Sequence, residues 1–113
     1  MMWNVQETTG QSVREQAERA LGVTFRVEGT GGNCEALTAT LEGGLVVVLC
    51  DDNLGVDFGG TRDSGVQIGV YTHEAWNDGG DALTDAWTSD FDRVGDAVLT
   101  SVNAAAVTLR DAR

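Results

Sequence analysis

The feature that most constrains the fold is an alternation of apolar and polar residues in short segments separated by glycines. Successive side chains of a β-strand point to opposite faces, so this alternation predicts strands with one buried face. The segments are 23–28, 34–42, 45–50 and 66–72, and glycine clusters at 29–32, 43–44, 59–60 and 79–80 provide turns. Residues 82–88 fit either a fifth strand or the start of the last helix, and we favour the strand.

Two amphipathic helices are predicted outside these strands. Ser12 and Glu15 have the spacing of a capping box, and Gly22 stands where a helix commonly ends. Ser89 can cap a last helix, whose first turn is rich in acidic residues. The 113 residues fit one domain. We therefore predict a single α+β domain, a two-layer sandwich in which an antiparallel meander of four or five strands is flanked by an N-terminal and a C-terminal helix.

The turn at Gly43-Gly44 decides which side chains share a face of the sheet. A two-residue hairpin loop places Leu41 opposite Val46 and Leu37 opposite Cys50. Cys34 then points to the other face from Cys50, and a disulfide bond between them is excluded by geometry. We therefore expect two thiols, whereas a three-residue loop would reverse the argument.

The strand at 45–50 is apolar on both faces, which is typical of a central strand. Leu45, Val47 and Leu49 would form its second apolar face. Either a loop covers this face, or it is the contact surface of a homodimer. Phe25, Trp87 and Phe91 are expected in the core.

The charge of the chain restricts its partners. The formal net charge is −11, and all seven basic residues are arginines. Residues 35–96 hold thirteen acidic residues against Arg62 and Arg93, which accounts for the whole net charge. This field disfavours direct nucleic-acid or membrane binding and favours a basic protein surface, although solubility alone also explains it. No long apolar run or signal sequence is apparent, which predicts a cytoplasmic protein (the host cytoplasm if a phage encodes it).

The common catalytic and cofactor motifs are missing from the sequence. Cys34, Cys50 and His73 do not provide four zinc ligands, and the aspartates after position 50 lack the EF-hand spacing. Without lysine there is no phosphate-binding P-loop, and Ser64 lacks a nucleophile-elbow motif. We therefore expect no metal, no cofactor and no enzymatic activity, with an incidental cation at the acidic loop 51–65 as the alternative.

The candidate binding residues lie mainly in the long polar segment 51–65. An aromatic residue at the tip of an acidic loop is a typical interface anchor, although it could also fold back onto the core. Trp76, at a predicted turn, has the same two interpretations. The candidate set is Asp51, Asp52, Asp57, Phe58, Asp63 and Trp76.

The segments "FRVEGTGGNCEALTATLEGG", "VVVLCDDN" and "VQIGVYT" resemble small uncharacterised proteins of actinobacteria and actinobacteriophages. The resemblance covers roughly residues 22–72, and the glycine-rich loop at 54–65 departs from it. It implies no established activity, but it favours a role in host interaction.

These observations favour a small, acidic, non-enzymatic protein-binding module, such as a phage accessory protein or a DNA-mimic-like inhibitor. A DNA mimic would need its carboxylates in a regular exposed row. The alternatives are a small enzyme or ligand-binding domain with a pocket between helices and sheet, and a structural homodimer.

Overall fold

A computed structural model describes residues 9–32, 34–51, 55–56 and 65–111 of the chain. Over these residues the chain forms three helices and five strands, with a short 3-10 turn before the last helix. The elements, in order, are α1 (Thr9–Leu21), β1 (Arg26–Gly31), β2 (Cys34–Thr40), β3 (Leu45–Asp51), β4 (Val66–Thr72), α2 (His73–Asp78), β5 (Thr84–Thr88), the 3-10 turn (Phe91–Arg93) and α3 (Val94–Asp111).

The five strands form one antiparallel sheet in the order β1-β2-β3-β4-β5. Each strand therefore pairs with its neighbour in sequence, so the sheet is a simple meander with β3 at its centre. This confirms the predicted α+β meander with a helix before and after it. It also shows that residues 84–88 form a strand, and that the last helix begins beyond them.

Helices α1 and α3 pack side by side on one face of the sheet. Gly95 allows the close approach of the two helices, because a Cβ there would lie 3.3 Å from the carbonyl oxygen of Gln16. The Gln16 side chain also donates to the carbonyl oxygen of Phe91 at 2.5 Å. The core beneath them is formed by Val13, Ala17, Phe25, Leu37, Ala39, Val47, Leu49, Val66, Ile68, Val94 and Val98.

The turn between β2 and β3 differs from the prediction. Leu37 pairs with Leu49 and Ala39 pairs with Val47, one residue away from the expected register. The Leu41 amide donates to the Leu45 carbonyl at 2.7 Å, which leaves a three-residue loop. Gly43 and Gly44 in this loop have φ angles of 97° and 94°, which residues other than glycine rarely adopt.

This register reverses the predicted faces of β3. Leu45, Val47 and Leu49 face the helices and are buried in the core, so the predicted homodimer surface through these three residues is wrong. Cys50 points to the opposite face, together with Val46 and Val48. Cys34 has the same parity as the buried Ala36 and therefore lies on that face too. Both cysteines are thiols, but the argument from opposite faces was wrong.

Helix α2 was not predicted. Its N-cap is Thr72, whose hydroxyl accepts a hydrogen bond from the Ala75 amide at 3.1 Å, and it ends at Gly79 in the left-handed conformation. The sequence pattern predicts a turn around the glycine cluster at 79–80, with Trp76 beside it. Trp76 instead lies on α2 and packs over the face of the sheet opposite α1 and α3. We call that face the outer face.

Candidate functional site

The outer face carries a small apolar centre, and none of the long helices in the described part of the chain covers it. Ala36, Val46 and Val48 are buried there, and Cys50, Tyr71 and Trp76 pack against them. Towards β5 the face continues with Gln67, which pairs with Trp87, and Gly69, which pairs with Asp85. Apolar, aromatic and acidic groups are thus brought together on one side of the sheet.

Tyr71 occupies the middle of this face because a glycine leaves room for its ring. Gly69 lies two residues earlier on β4 and therefore points to the same face. A Cβ at Gly69 would lie 2.8 Å from Cε1 of Tyr71 and 3.4 Å from its hydroxyl oxygen. The Tyr71 ring therefore lies directly on the backbone of β4.

The Trp87 ring likewise lies on a glycine, Gly65, which directly precedes β4. A Cβ at Gly65 would lie only 2.3–2.5 Å from three adjacent atoms of the indole ring, Cε2, Cζ2 and Nε1. Gly65 itself is buried, whereas 52% of Trp87 is exposed. The expectation that Trp87 lies in the core is therefore wrong. It is a large aromatic residue held on the surface by the backbone beneath it.

A cleft of about 520 Å³ lies on the outer face between these aromatic residues. Tyr71 and Trp87 line it, Val48, Cys50 and Gly69 contribute to its lining from the sheet, and Asp85 lines it from β5. We call it the Tyr71–Trp87 cleft. Its remaining lining residues are Gln67, Ile68 and Ala86.

One carboxylate, that of Asp85, lines this cleft. Burial raises the pKa of the Tyr71 hydroxyl above its ordinary value, and Coulombic interactions with Asp85, Cys50 and Asp81 raise that pKa further. Asp85 makes no ion pair with any residue that the structure describes. The cleft therefore combines aromatic walls with an uncompensated carboxylate, an arrangement suited to a cation.

A second hollow, of about 460 Å³, lies on the other side of Tyr71. Trp76 lines it from α2 and Glu28 lines it from β1, and the Trp76 ring centroid lies 5.1 Å from that of Tyr71. Its remaining lining residues are Gly29, Thr30, Ala75, Asn77, Gly79 and Gly80. Both hollows thus pair a tryptophan with a carboxylate, and they share Tyr71.

The predicted site residues are placed as follows. Asp51 is only 5% exposed, and its Oδ1 accepts a hydrogen bond from the Gly55 amide at 2.8 Å, so it closes a turn instead of offering an exposed charge. Trp76 lies on the outer face, partly buried. Asp52, Asp57, Phe58 and Asp63 lie outside the described residues.

The described part of the chain also bears on the other chemistries that its residue types could support. Within it, no three histidine, cysteine or acidic side chains are grouped as a metal site would need. His73 is exposed on α2 and contacts Asn77. The middle of the space between helices and sheet, where a pocket was the alternative, is filled by side chains such as Phe25 and Leu49, both 0% exposed. At its end a hollow of about 330 Å³ lies between Leu45 of β3 and Leu109 of α3. No described helix has both the length and the apolar character of a membrane span.

The chain matches no protein-family model, no curated protein and no solved structure. The candidate site therefore rests on its geometry alone. The cleft was not predicted from the sequence, although one signal was available. Gly65, just before β4, and Gln67, Gly69 and Tyr71 within it alternate, so two glycines and an aromatic residue share the face of this strand opposite to its apolar residues.

Proposed function

We propose that this protein is a non-enzymatic binding module that holds a basic segment of a partner protein on its outer face. The observation that supports this most directly is Trp87, half exposed and seated on Gly65 at the edge of the Tyr71–Trp87 cleft. Exposed aromatic residues fixed in position supply much of the energy at protein interfaces. The two hollows on either side of Tyr71 extend the surface across the sheet.

The sign of the partner's charge follows from the acidic residues around these hollows. Asp85 lines one hollow and Glu28 lines the other. Within the described chain neither residue forms an ion pair, and the formal charge of the whole chain is −11. A negative field of this kind accelerates association with a basic partner and repels nucleic acid.

The acidic segment after β3 is the second part of the proposal. Strand β3 ends at Asp51, and Gly65, the residue before β4, lies directly beneath Trp87. Asp52, Asp57, Phe58 and Asp63 are proposed to add contacts to the same partner, whereas Asp51 serves to close the turn.

Amide chemical-shift mapping tests this proposal with a short peptide of arginine and glycine as the probe. We expect saturable shifts at Val48, Gln67 and Asp85 on the outer face, which weaken as salt is added. A glutamate–glycine peptide of equal length is the control and should produce no shifts. Shifts confined to α1 and α3, or no saturable binding, would refute the proposal.

Two sets of variants separate the two parts of the surface. Trp87→Ala should weaken binding of the basic peptide, whereas Val107→Ala on α3 removes a similarly exposed apolar side chain from the far side and should not. Reversing Asp52 and Asp57 to lysine should also weaken binding. Unchanged affinity after that reversal would remove the 52–64 segment from the site and leave the outer face.

A further inference from the structure

We infer that the Tyr71–Trp87 cleft is a receptor for a single arginine side chain of the partner. This inference rests on the proposed function, because it specifies which group of the basic segment enters the cleft. Three properties of the cleft support it, namely its aromatic walls, its carboxylate and its apolar floor.

The aromatic walls suit a planar cation. A guanidinium group is attracted to the face of an indole ring and stacks on it, and tryptophan is the most favourable aromatic partner. Trp87 and Tyr71 are both pressed onto glycines, at 65 and 69, so the backbone holds the two rings in place. Binding therefore requires little additional ordering of these side chains.

The carboxylate supplies the charge and the direction. Asp85, on β5, pairs with Gly69 of β4 and lines the cleft. Its charge raises the pKa of the Tyr71 hydroxyl. An arginine can stack on the indole and donate two parallel hydrogen bonds to one carboxylate, which a lysine ammonium cannot do. Asp81 adds negative charge near the same hydroxyl.

The floor suits the aliphatic part of an arginine. Val48 and Gly69 line the cleft from the sheet, and Val48 is 8% exposed. The methylene groups of an arginine can lie along apolar surface while the charged end reaches a polar group. A simple acidic surface would offer no such floor, and a purely apolar groove would offer no counter-ion.

A pair of peptides that differ in one group tests the inference. The probe is a short glycine-rich peptide with one arginine, and its matched control carries citrulline, which has nearly the same shape but no charge. We expect the arginine peptide to bind at least about tenfold more tightly by isothermal titration calorimetry. A lysine peptide should bind less tightly than the arginine peptide.

Variants then assign this difference to the cleft. Trp87→Leu and Asp85→Asn should each reduce the preference for arginine over citrulline to near unity. Val107→Ala and Asp111→Asn change the same kinds of residue on α3 and should leave the preference intact. Unchanged circular dichroism and denaturation midpoints will show that the variants are folded.

The outcomes separate this inference from the proposed function. If the basic peptide still shifts the outer face but citrulline binds as well as arginine, the arginine receptor is wrong and the binding surface stands. A preference for lysine over arginine also overturns it. If neither peptide binds and the outer face shows no shifts, the proposed function fails as well.

Discussion

The indole Nε1 of Trp76 donates a hydrogen bond to Oε2 of Glu28 at 3.2 Å, although the two residues are 48 positions apart. The other oxygen of the same carboxylate, Oε1, accepts a hydrogen bond from the Thr38 hydroxyl at 3.0 Å. One carboxylate on β1 therefore joins helix α2 to the edge of the sheet. It also holds Trp76 against Tyr71, which separates the two hollows of the outer face.

This link predicts a measurable coupling between α2 and β1. Glu28→Ala leaves the hydroxyl of the buried Thr38 without its acceptor, which should cost about 1–3 kcal/mol in the free energy of unfolding. Trp76→Phe removes the indole donor from the same network and keeps an aromatic ring, although a smaller one. In a double-mutant cycle by urea denaturation the two substitutions should be non-additive by about 0.5–2 kcal/mol.

The control for that cycle is Glu35→Ala on β2, which removes an exposed carboxylate from the neighbouring strand. Its effect should stay within about 0.5 kcal/mol. Strict additivity of Glu28→Ala and Trp76→Phe would show that the hydrogen bond contributes nothing to the attachment of α2.

The contact between Gly65 and the Trp87 ring predicts that one added methyl group will displace the indole. Gly65→Ala would place a Cβ within 2.3–2.5 Å of three ring atoms, so the ring must move off the backbone. We expect a shift of the Trp87 indole N–H signal in NMR spectra and a loss of about 1–3 kcal/mol in stability. Affinity for the basic peptide should fall as well.

Gly29→Ala is the matched control, because a Cβ at Gly29 meets no atom within 4 Å. Gly29 also belongs to a strand and does not have a positive φ angle. This variant should leave the Trp87 indole N–H signal unchanged. An unshifted indole signal in Gly65→Ala would contradict the described packing.

The strand pattern was sufficient to predict the fold, because alternation and glycine turns leave few arrangements for a short chain. It could not specify the register at β3. Residues Leu45–Leu49 are all apolar, so shifting the pairing by one residue still buries an apolar face. Only the size of the turn decides, and two adjacent glycines are compatible with loops of two or three residues.

The site was less predictable than the fold for a related reason. The charged segment after Asp51 attracted the functional interpretation because charge and aromatic residues are visible in sequence. The Tyr71–Trp87 cleft depends on which residues lie across from each other, and Trp87 faces Gln67 only once β4 and β5 are paired. The contact of an aromatic ring with the backbone of a glycine becomes apparent only in three dimensions.

The raised pKa of Tyr71 predicts that the stability of the protein falls at alkaline pH. It is the only tyrosine of the chain, so its ionisation can be followed by ultraviolet absorbance without interference from another phenol. Burial and then the charges of Asp85, Cys50 and Asp81 raise its pKa above the ordinary value of about 10. The folded state therefore holds the proton more tightly than the unfolded state.

The sign of the effect on stability follows from linkage. The contribution of this proton is fully present below the pKa of the unfolded tyrosine, and stability falls as the pH rises from there through the raised pKa. Asp85→Asn should move the absorbance midpoint down towards the ordinary value, whereas Asp111→Asn should not. An unmoved midpoint in Asp85→Asn would remove that carboxylate from the surroundings of the hydroxyl.

The lowered pKa of Glu18 predicts a loss of stability at acidic pH. Its Oε2 accepts a hydrogen bond from the Phe25 amide at 2.8 Å and one from Arg14 Nε at 3.2 Å, so it joins the end of α1 to the residue before β1. Mainly because of the bond from the Phe25 amide, and despite partial burial, the pKa of Glu18 lies below its ordinary value. The stabilisation is present above the unfolded pKa of about 4.3 and is lost as the pH falls through the lowered value.

Glu18→Gln keeps an acceptor for the Phe25 amide but removes the negative charge. Near neutral pH it should lower the free energy of unfolding by about 1 kcal/mol, since a charged acceptor forms the stronger hydrogen bond. The gap between the wild-type and variant proteins should close as the pH drops below 4.3, because the wild-type carboxylate then loses its charge too. Urea denaturation of both proteins across this range measures the gap, and Glu35→Gln, at an exposed glutamate of β2, is the control. A gap that stays constant with pH would show that the charge of Glu18 does not contribute to stability, and that the α1–β1 junction depends on packing around Phe25.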